Sequence, residues 1–311
     1  MVGIKALFGL KKDGIDPKAT EDIAKVVEIC DGASSCGSDC EEEMAELAKG
    51  DKVYEGLKID HEEPLYNSSK PPKVHFVVPT SQMDWEHDAC LEDTSSVQYH
   101  IYDWCQKHND EFSGVGNGQK LSCAVSSLPK DIMDVEVMRG TKNNVLVLPH
   151  FIWINGLESG KVDQTLNELV PKLLSPELAI DKLVEEYSML SRAIERSFVL
   201  VCSHTRRDKR CGIMAPYLKK AFDQHLQKQG LYRDNSDFRP NGVNVAFVNH
   251  VGGHKFAANV QIFLKDPCIL IWLGRVKPTN VPFIVDGILV PEKPKLQWPE
   301  KVRCVQKYAS W

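Results

Sequence analysis

Two cysteines and two histidines in the last third of the chain have the side chains and the spacing of a metal site. Cys202 and Cys211 bound the segment CSHTRRDKRC, and His250 and His254 bound the segment HVGGH. Thiolate and imidazole are ligands for soft and borderline metals. Four such groups in two close pairs predict a site with four protein ligands.

The spacing of the cysteines narrows the choice of metal. Zinc knuckles use cysteines about two to four residues apart, and the interval between Cys202 and Cys211 is too wide for that turn. A long loop that closes over a second ligand pair suits a larger group, such as a [2Fe–2S] cluster. Zinc stays the alternative metal at these positions.

The composition is that of an ordinary globular protein. The 311 residues are enough for two domains, and the hydrophobic content is 42%. The net charge of -5 argues against a nucleic-acid partner. No stretch approaches the ~20 apolar residues of a membrane span, and the N-terminus lacks the pattern of a secretory or mitochondrial leader. With ten cysteines, these features favour a reducing compartment. We expect the cytoplasm, alone or shared with the nucleus, and no membrane partner.

The predicted elements divide the chain into three parts. Residues 1–70 are expected to be a mobile acidic segment with short helices, closed by the turn-forming sequence NSSKPP. An N-terminal α/β domain over residues 71–195 begins with the apolar strand VHFVV and ends with helices over 163–174 and 176–194. The second domain covers residues 196–311.

The second domain has the clearest pattern. An apolar strand over residues 197–202 precedes a helix that begins at Pro216 and ends at Gly230, and a strand over 243–247 follows. This β-α-β unit predicts two parallel strands. A hairpin and a helix over 281–289 complete a thioredoxin-like order. Both ligand pairs then fall on loops directly after parallel strands, where open α/β sheets carry their sites.

The first domain has a faint similarity to the second. VHFVVPTSQMDWEHDAC and FVLVCSHTRRDKRC each place an apolar strand before a polar loop that ends in cysteine. The similarity is compatible with a degenerate thioredoxin-like copy that lost its cluster. The predicted fold class is α/β, with a C-terminal thioredoxin-like ferredoxin domain preceded by a smaller α/β domain.

Several stretches resemble the fungal actin-patches-distal family, also called sucrase/ferredoxin-like proteins. They include HFVVPTSQMDWEHDACLED, CSHTRRDKRCG, NHVGGHKFAANVQIFL and KVRCVQKYASW, and together they cover nearly everything beyond residue 60. The resemblance implies a thioredoxin-like ferredoxin in which H-x3-H replaces the second cysteine pair. It implies that Cys202, Cys211, His250 and His254 bind a [2Fe–2S] cluster. The family is also linked to actin organisation, for which no residue of the chain gives a reason.

Two imidazole ligands would change the charge of such a cluster. With four cysteinates an oxidised [2Fe–2S] core carries about -2, and with two cysteinates and two neutral imidazoles about 0. A neutral site accepts an electron more readily, so we expect a raised potential, with proton coupling at the second imidazole nitrogens. The protein is then a redox carrier more than a catalyst with its own substrate, reduced by a flavin-dependent reductase.

The residues leave two other functions open. A thioredoxin-like order allows a thiol-redox or quality-control protein, although C-x8-C is not the C-x-x-C spacing of dithiol oxidoreductases. A zinc-stapled binding module would use the same four ligands. Cys30, Cys36 and Cys40 form a weaker group, for which we favour an exposed reduced stretch over a metal site.

Further residues are predicted to shape the surroundings of the site. Gly252 and Gly253 would let the backbone turn tightly and approach the cluster. Arg206, Arg207 and Arg210 would either donate hydrogen bonds to the cluster and attract an acidic redox partner, or form ion pairs within a solvated loop.

The last residue, Trp311, has two interpretations. A terminal tryptophan often folds back onto its own domain or makes no contact. Alternatively, an aromatic side chain beside a free carboxylate is a docking group. The ending ASW resembles the tail by which proteins are docked to the cytosolic iron–sulfur assembly machinery. We therefore predict that this machinery is a partner.

Overall fold

A ten-stranded mixed sheet with helices packed on it forms most of the molecule. The computed structural model describes residues 16–30, 41–112, 119–234 and 237–309. The α/β class predicted from the sequence is confirmed. Within those four ranges, no helix is both long and apolar enough to cross a membrane.

Two helices and a short strand precede the sheet. They are α1 (Pro17–Ala24), β1 (Glu28–Ile29) and α2 (Glu41–Glu55). β1 pairs in parallel with the two-residue strand Lys295–Leu296. In α2, Tyr54 is buried, and Asp51 accepts a hydrogen bond of 2.6 Å from the Thr279 hydroxyl. The described parts of residues 1–70 thus pack on the C-terminal part of the chain, and the mobility expected of this segment stays a prediction.

The first half of the sheet is built from residues 74–192. Its strands have the order β3-β2-β4-β5-β6, and only β2 and β3 are parallel. Its elements are β2 (Val74–Pro79), α3 (Val97–Phe112), β3 (Leu121–Ser126), α4 (Val135–Met138), β4 (Lys142–Leu148), β5 (Ile152–Glu158), α5 (Val162–Leu173), α6 (Ile180–Glu186) and β6 (Leu190–Arg192).

The helix predicted over residues 176–194 is wrong. Only α6 is helical there, and Leu190–Arg192 forms the edge strand β6. β6 pairs with β5, so backbone pairing with a strand distant in sequence overrides the local helical pattern. The strand β3 was not predicted either, because its residues LSCAVS mix polar and apolar side chains without regular alternation.

The second half of the sheet is built from residues 197–307. Its strands have the order β8-β7-β9-β10-β12, and the predicted parallel pairing of β7 with β8 is confirmed. Its elements are β7 (Ser197–Cys202), α7 (Lys209–Lys228), β8 (Val243–Val248), β9 (Val260–Leu264), β10 (Ile269–Leu273), α8 (Val281–Ile284), β11 (Lys295–Leu296) and β12 (Val302–Lys307).

Two predicted helices of this half differ from the structure. The helix over residues 281–289 is a single turn, α8, followed by the π-helical turn Val285–Leu289. The helix α7 begins at Lys209, and Pro216 lies inside it. Pro216 cannot donate the backbone hydrogen bond that a helix requires at its position. Met214 and Leu218, on either side of it, are fully buried, and we attribute the persistence of the helix to this packing.

The five strands of each half are arranged in the same relative order, and the two halves bury apolar side chains against each other. They join where β3 and β8 pair at Ser126 and Val248, close to the carboxyl ends of both strands. Alternate residues of both halves form one buried cluster, which includes Val248 of that joint and in which the rings of Phe151 and Phe198 lie 5.7 Å apart. The predicted boundary at residues 195 and 196 falls between β6 and β7. The division into separate domains and the degenerate copy stay interpretations.

Candidate metal centre

The two predicted cysteine ligands lie together at the carboxyl end of β7. Cys202 is the last residue of that strand, and Cys211 lies in the first turn of α7. The helix begins early because Asp208 accepts a hydrogen bond from the Arg210 backbone as its N-cap. Both cysteines are buried, and their thiols are in hydrogen-bond contact. The pair is therefore held by a strand end and a helix start, not by the predicted loop.

The contact between the thiols makes their acidities unequal. The pKa of Cys202 is lowered, first because the Cys211 thiol donates to it and then because His250 lies beside it, against the opposing effect of burial. The pKa of Cys211 is raised because it gives that hydrogen bond to Cys202 and is itself buried. Cys202 is therefore the thiol that ionises first.

The two predicted histidine ligands lie on the loop after β8. His250 is half-buried and contacts Cys202, whereas His254 is exposed and starts the 3-10 turn His254–Phe256. Their ring centroids are 5.4 Å apart. Between them, Gly252 and Gly253 have φ values of +84° and +68°, which favour glycine. The site therefore has a buried sulfur end and an imidazole end that faces solvent.

The donor set fits a group that takes its ligands in pairs. A [2Fe–2S] cluster takes two protein ligands on each iron. Structural zinc needs four ligands around one point. In the part of the chain that the structure describes, no three His, Cys, Asp or Glu side chains are grouped to hold a metal ion, so the fit is one of donor types and of adjacency within each pair. The pairs Cys202–Cys211 and His250–His254 fit the cluster by their chemistry and adjacency.

A buried imidazole connects the first half of the sheet to this site. His204 is 1% exposed, and its Nε2 donates to the carbonyl oxygens of Trp85 and Glu86 at 3.0 and 2.9 Å. Because Nε2 carries the proton, Nδ1 is free to accept from the His250 backbone N–H at 3.2 Å. Sequence reasoning missed His204, although it lies between the two cysteines.

The loop over residues 80–90 of the first half covers the cysteine loop, the segment 203–208 that connects Cys202 to α7. The Ser203 hydroxyl donates to the Met83 carbonyl at 2.7 Å, and the Thr205 N–H donates to the Asp84 carboxylate at 2.8 Å. This loop follows β2 as the cysteine loop follows β7. Matching loops of the two halves thus lie against each other at the site.

The three predicted arginines are held in ion pairs. Of the two predicted roles, ion pairing within the loop describes these arginines better than a free cationic surface does, because each guanidinium contacts a carboxylate. Two of those carboxylates come from the covering loop of the first half. The pairs are Arg206–Glu86, Arg207–Asp88 at 2.9 Å and Arg210–Asp208 at 2.7 Å.

Sequence reasoning also missed a buried arginine on β12. Arg303 is 1% exposed, and its Nη1 donates to the Gly252 carbonyl and to Asn259 Oδ1, each at 2.8 Å. Burial lowers the pKa of Arg303 to about 10, opposed by the nearby thiols that include Cys202 and Cys211. Its only signal in the sequence is a charged residue within the apolar segment VRCV.

Some predicted residues lie outside the described ranges. Trp311, Cys36 and Cys40 are among them, so the docking tail and the weaker cysteine group stay predictions. The nearby Tyr308 is described, and its hydroxyl donates to the Pro72 carbonyl at 2.8 Å. The end of β12 is therefore attached to the first half.

Comparison with known proteins gives the family. The family model described as sucrase/ferredoxin-like matches residues 65–304. The chain is 61% identical over 302 residues to actin patches distal protein 1 of Saccharomyces cerevisiae, which covers 96% of this chain and 95% of that relative. It is 41% identical over 98 residues to altered inheritance of mitochondria protein 32 of Debaryomyces hansenii, which covers 31% of this chain and 32% of that relative. No solved structure matches the chain significantly. The chain belongs to the sucrase/ferredoxin-like family.

Proposed function

We propose that this protein transfers electrons with a [2Fe–2S] cluster bound by Cys202, Cys211, His250 and His254. The observation that carries the proposal is the contact of the buried Cys202 thiol with both the Cys211 thiol and the His250 imidazole, at the carboxyl ends of two parallel strands. Membership of a family described as ferredoxin-like supports it. When bound, such a cluster supplies a one-electron redox couple.

The cysteine and histidine ligands would have different roles. The buried cysteines hold the sulfur end away from water, and the neutral imidazoles leave the site less negative than four thiolates would. The ring of His254 is exposed, so a proton on its second nitrogen can exchange with solvent. Loss of that proton favours ferric iron, so we expect the potential to fall as pH rises.

The proposed partners follow from this arrangement. A flavin-dependent reductase would deliver electrons at the imidazole end, because His254 is the exposed ligand. The protein would work in the cytoplasm, alone or shared with the nucleus. The yeast relative is named for actin patches, and we propose that the chain also serves actin organisation.

The iron–sulfur assembly machinery would dock on Trp311. We expect deletion of Trp311 to lower the iron content of protein isolated from cells, with chemically reconstituted protein spectroscopically normal. Equal iron content of truncated and full-length protein from cells would contradict the docking role. A truncated protein that cannot be reconstituted would make Trp311 structural.

Thiol-redox activity is the second candidate. The Cys202–Cys211 contact and the lowered pKa of Cys202 favour it, because an ionised thiol is the reactive form. Burial of both side chains argues against it, since a substrate disulfide must reach the thiolate.

Purification without oxygen separates these functions. We expect a red-brown protein with visible absorption, an EPR signal on reduction, and about two irons and two sulfides per chain. A colourless protein with zinc at the same site would indicate a zinc-stapled binding module. Dithiol turnover that survives removal of the iron would favour the thiol-redox function.

A further inference from the structure

Arg303 is a buried cation whose hydrogen bonds go to uncharged acceptors. Its Nε and Nη2 donate to Ser68, each at 3.1 Å, and its Nη1 donates to Gly252 and Asn259. Among the residues in the four described ranges, no carboxylate oxygen lies within 4.0 Å of its guanidinium. A buried charge without a counter-charge is costly, so an anionic group should lie nearby.

The charged or ionisable groups that act on Arg303 belong to the metal centre and its own strand. Cys202 and Cys211 favour the charged guanidinium, as does the adjacent Cys304. Two aromatic rings, Trp272 at 4.9 Å and Phe256 at 5.6 Å from the guanidinium carbon, hold the group in one place. The positive charge is therefore fixed beside the cysteine pair.

The same guanidinium supports the turn that carries the histidines. A Cβ atom on Gly253 would lie 2.3 Å from Nη2 of Arg303, so the turn packs directly on the arginine. This contact adds a reason for Gly253 to the two that the sequence suggested, a tight turn and the approach of the backbone to the cluster. Because Arg303 also donates to the Gly252 carbonyl, both residues of the turn are held.

Asn259 extends this support to the cysteine pair. Its Oδ1 accepts from Arg303, and its Nδ2 donates to the Gly253 carbonyl at 3.2 Å. Its backbone carbonyl accepts from the Cys202 N–H at 3.1 Å, and its side chain contacts the Cys211 thiol. One arginine–asparagine unit thus touches the cysteine pair and the turn between the two histidines.

We propose that Arg303 is a positioning residue of the metal centre, which fixes the Gly252–Gly253 turn and supplies a permanent positive charge beside the cysteines. The inference deepens the proposed function and rests on it. A fixed positive charge stabilises the more negative, reduced form of the site, so the reduction potential is raised. It also compensates the thiolate form of the ligands.

The first test is the reduction potential of Arg303→Met and Arg303→Lys. We expect Arg303→Met to lower the reduction equilibrium constant at least tenfold, which is ~59 mV for one electron. Arg303→Lys keeps the positive charge, so its reduction equilibrium constant should stay within about threefold of the wild-type value. Arg233→Met is the matched control and should leave the potential unchanged. Arg233 has a side chain that is 10% exposed, donates to backbone carbonyls and would meet a Cβ atom on Gly242, and it differs from Arg303 in its ion pair with Asp237 at 3.9 Å.

The second test needs no cluster. Gly253→Ala should lower the melting temperature of the cluster-free protein, because the new methyl group meets the guanidinium and φ is positive. In the Arg303→Met background this loss should be smaller, since the nearest clash is gone. Gly242→Ala should lower the melting temperature equally in both backgrounds.

The outcomes separate the inference from the proposed function. If the wild-type protein never holds a cluster, the proposed function is wrong. If Gly253→Ala lowers the melting temperature equally in the wild-type and Arg303→Met backgrounds, Arg303 does not hold the turn. If wild type holds a cluster and Arg303→Met matches Arg233→Met in potential, the inference is wrong and the proposed function stands. If Arg303→Met does not fold, a tenfold shift in Arg303→Lys would overturn the charge role.

Discussion

The four proposed ligands differ in exposure, and that difference decides what each could do at a metal centre. Cys202 and Cys211 are buried, whereas His250 is half-buried and His254 is exposed. Water and protons therefore reach the site from the imidazole end. We expect substitutions at the two ends to have different consequences.

Ligand substitutions should be graded. Cys202→Ser or Cys211→Ser should lose the cluster or leave it very labile. His250→Cys or His254→Cys should retain it with a lower potential and a weaker pH dependence, because a thiolate adds negative charge and removes a titrating proton. Redox titration at several pH values measures both effects.

Cys268→Ser, at a buried cysteine on the loop before β10, is the control and should keep the cluster. Histidine ligation would be wrong if both histidine variants kept the wild-type midpoint and its pH slope.

His75 should make stability depend on pH. Burial lowers its pKa from 6.5 to about 4, and its Nδ1 lies 2.7 Å from the Ser122 hydroxyl. Between pH 6.5 and 4 the unfolded chain binds a proton that the folded protein refuses, so the free energy of unfolding falls as pH falls. The loss by pH 4 is ~3 kcal/mol at 1.36 kcal/mol per pKa unit.

His75→Phe should flatten that slope, because phenylalanine does not titrate and can keep the stacking on Phe263, now 6.0 Å between ring centroids. Urea unfolding at a series of pH values measures the slope. Burial also lowers the pKa of His150 to about 4, so His150 should preserve part of the pH dependence of stability in the variant. A variant with the full wild-type slope would contradict the assignment.

At the scale of elements, the site depends on where a strand ends and a helix begins. β7 ends at Cys202, and α7 begins at Lys209, so Cys211 is held by the first helical turn. The covering loop of the first half and His204 then hold the connection between them. The position of Cys211 therefore depends on the N-cap of α7.

Removing that N-cap should loosen Cys211. Asp208→Ala loses the hydrogen bond of 2.9 Å from the Arg210 N–H, and we expect ~1 kcal/mol less stability with faster loss of iron. Asp208→Asn retains a capping oxygen and should recover most of the stability. Chemical denaturation and iron release to a chelator measure the two effects. Equal loss in the alanine and asparagine variants would exclude capping as the cause.

At the scale of the whole molecule, the two halves of the sheet protect each other. Their shared cluster includes Leu146 and Leu148 from the first half and Leu200 and Phe263 from the second, all buried. Either half alone would expose this apolar surface to water. The first half therefore supports the metal centre by packing as well as through His204.

Residues 196–311 produced alone should bind a hydrophobic dye and unfold without a sharp transition. Co-production with residues 1–195 should restore cooperative unfolding, because the shared cluster is then buried again. Fluorescence and calorimetry of the fragment, the mixture and the full chain provide the comparison. A fragment that melts cooperatively at the temperature of the full chain would show that the second half is independent.

Much of the second half could be predicted because its signals are local. FVLVC is an apolar run and VNVAFV alternates Val243, Val245 and Phe247, and both patterns predict strands. The spacing of the four candidate ligands is likewise contained in two short segments, CSHTRRDKRC and HVGGH. The start of α7 could not be predicted, because the proline rule favours Pro216 and burial of the preceding turn decides otherwise. The strand β12 lacks a regular pattern and forms by pairing with β10.

The sequence by itself determined the types and the spacing of the four candidate ligands and the parallel strands that carry them, because each depends on residues close together in the chain. Only the tertiary structure decided which groups surround those ligands. Arg206 meets Glu86 across 120 positions, and Arg303 meets Ser68 across 235. Such pairs depend on how the two halves pack, and no local pattern specifies which distant residue a buried charge will contact.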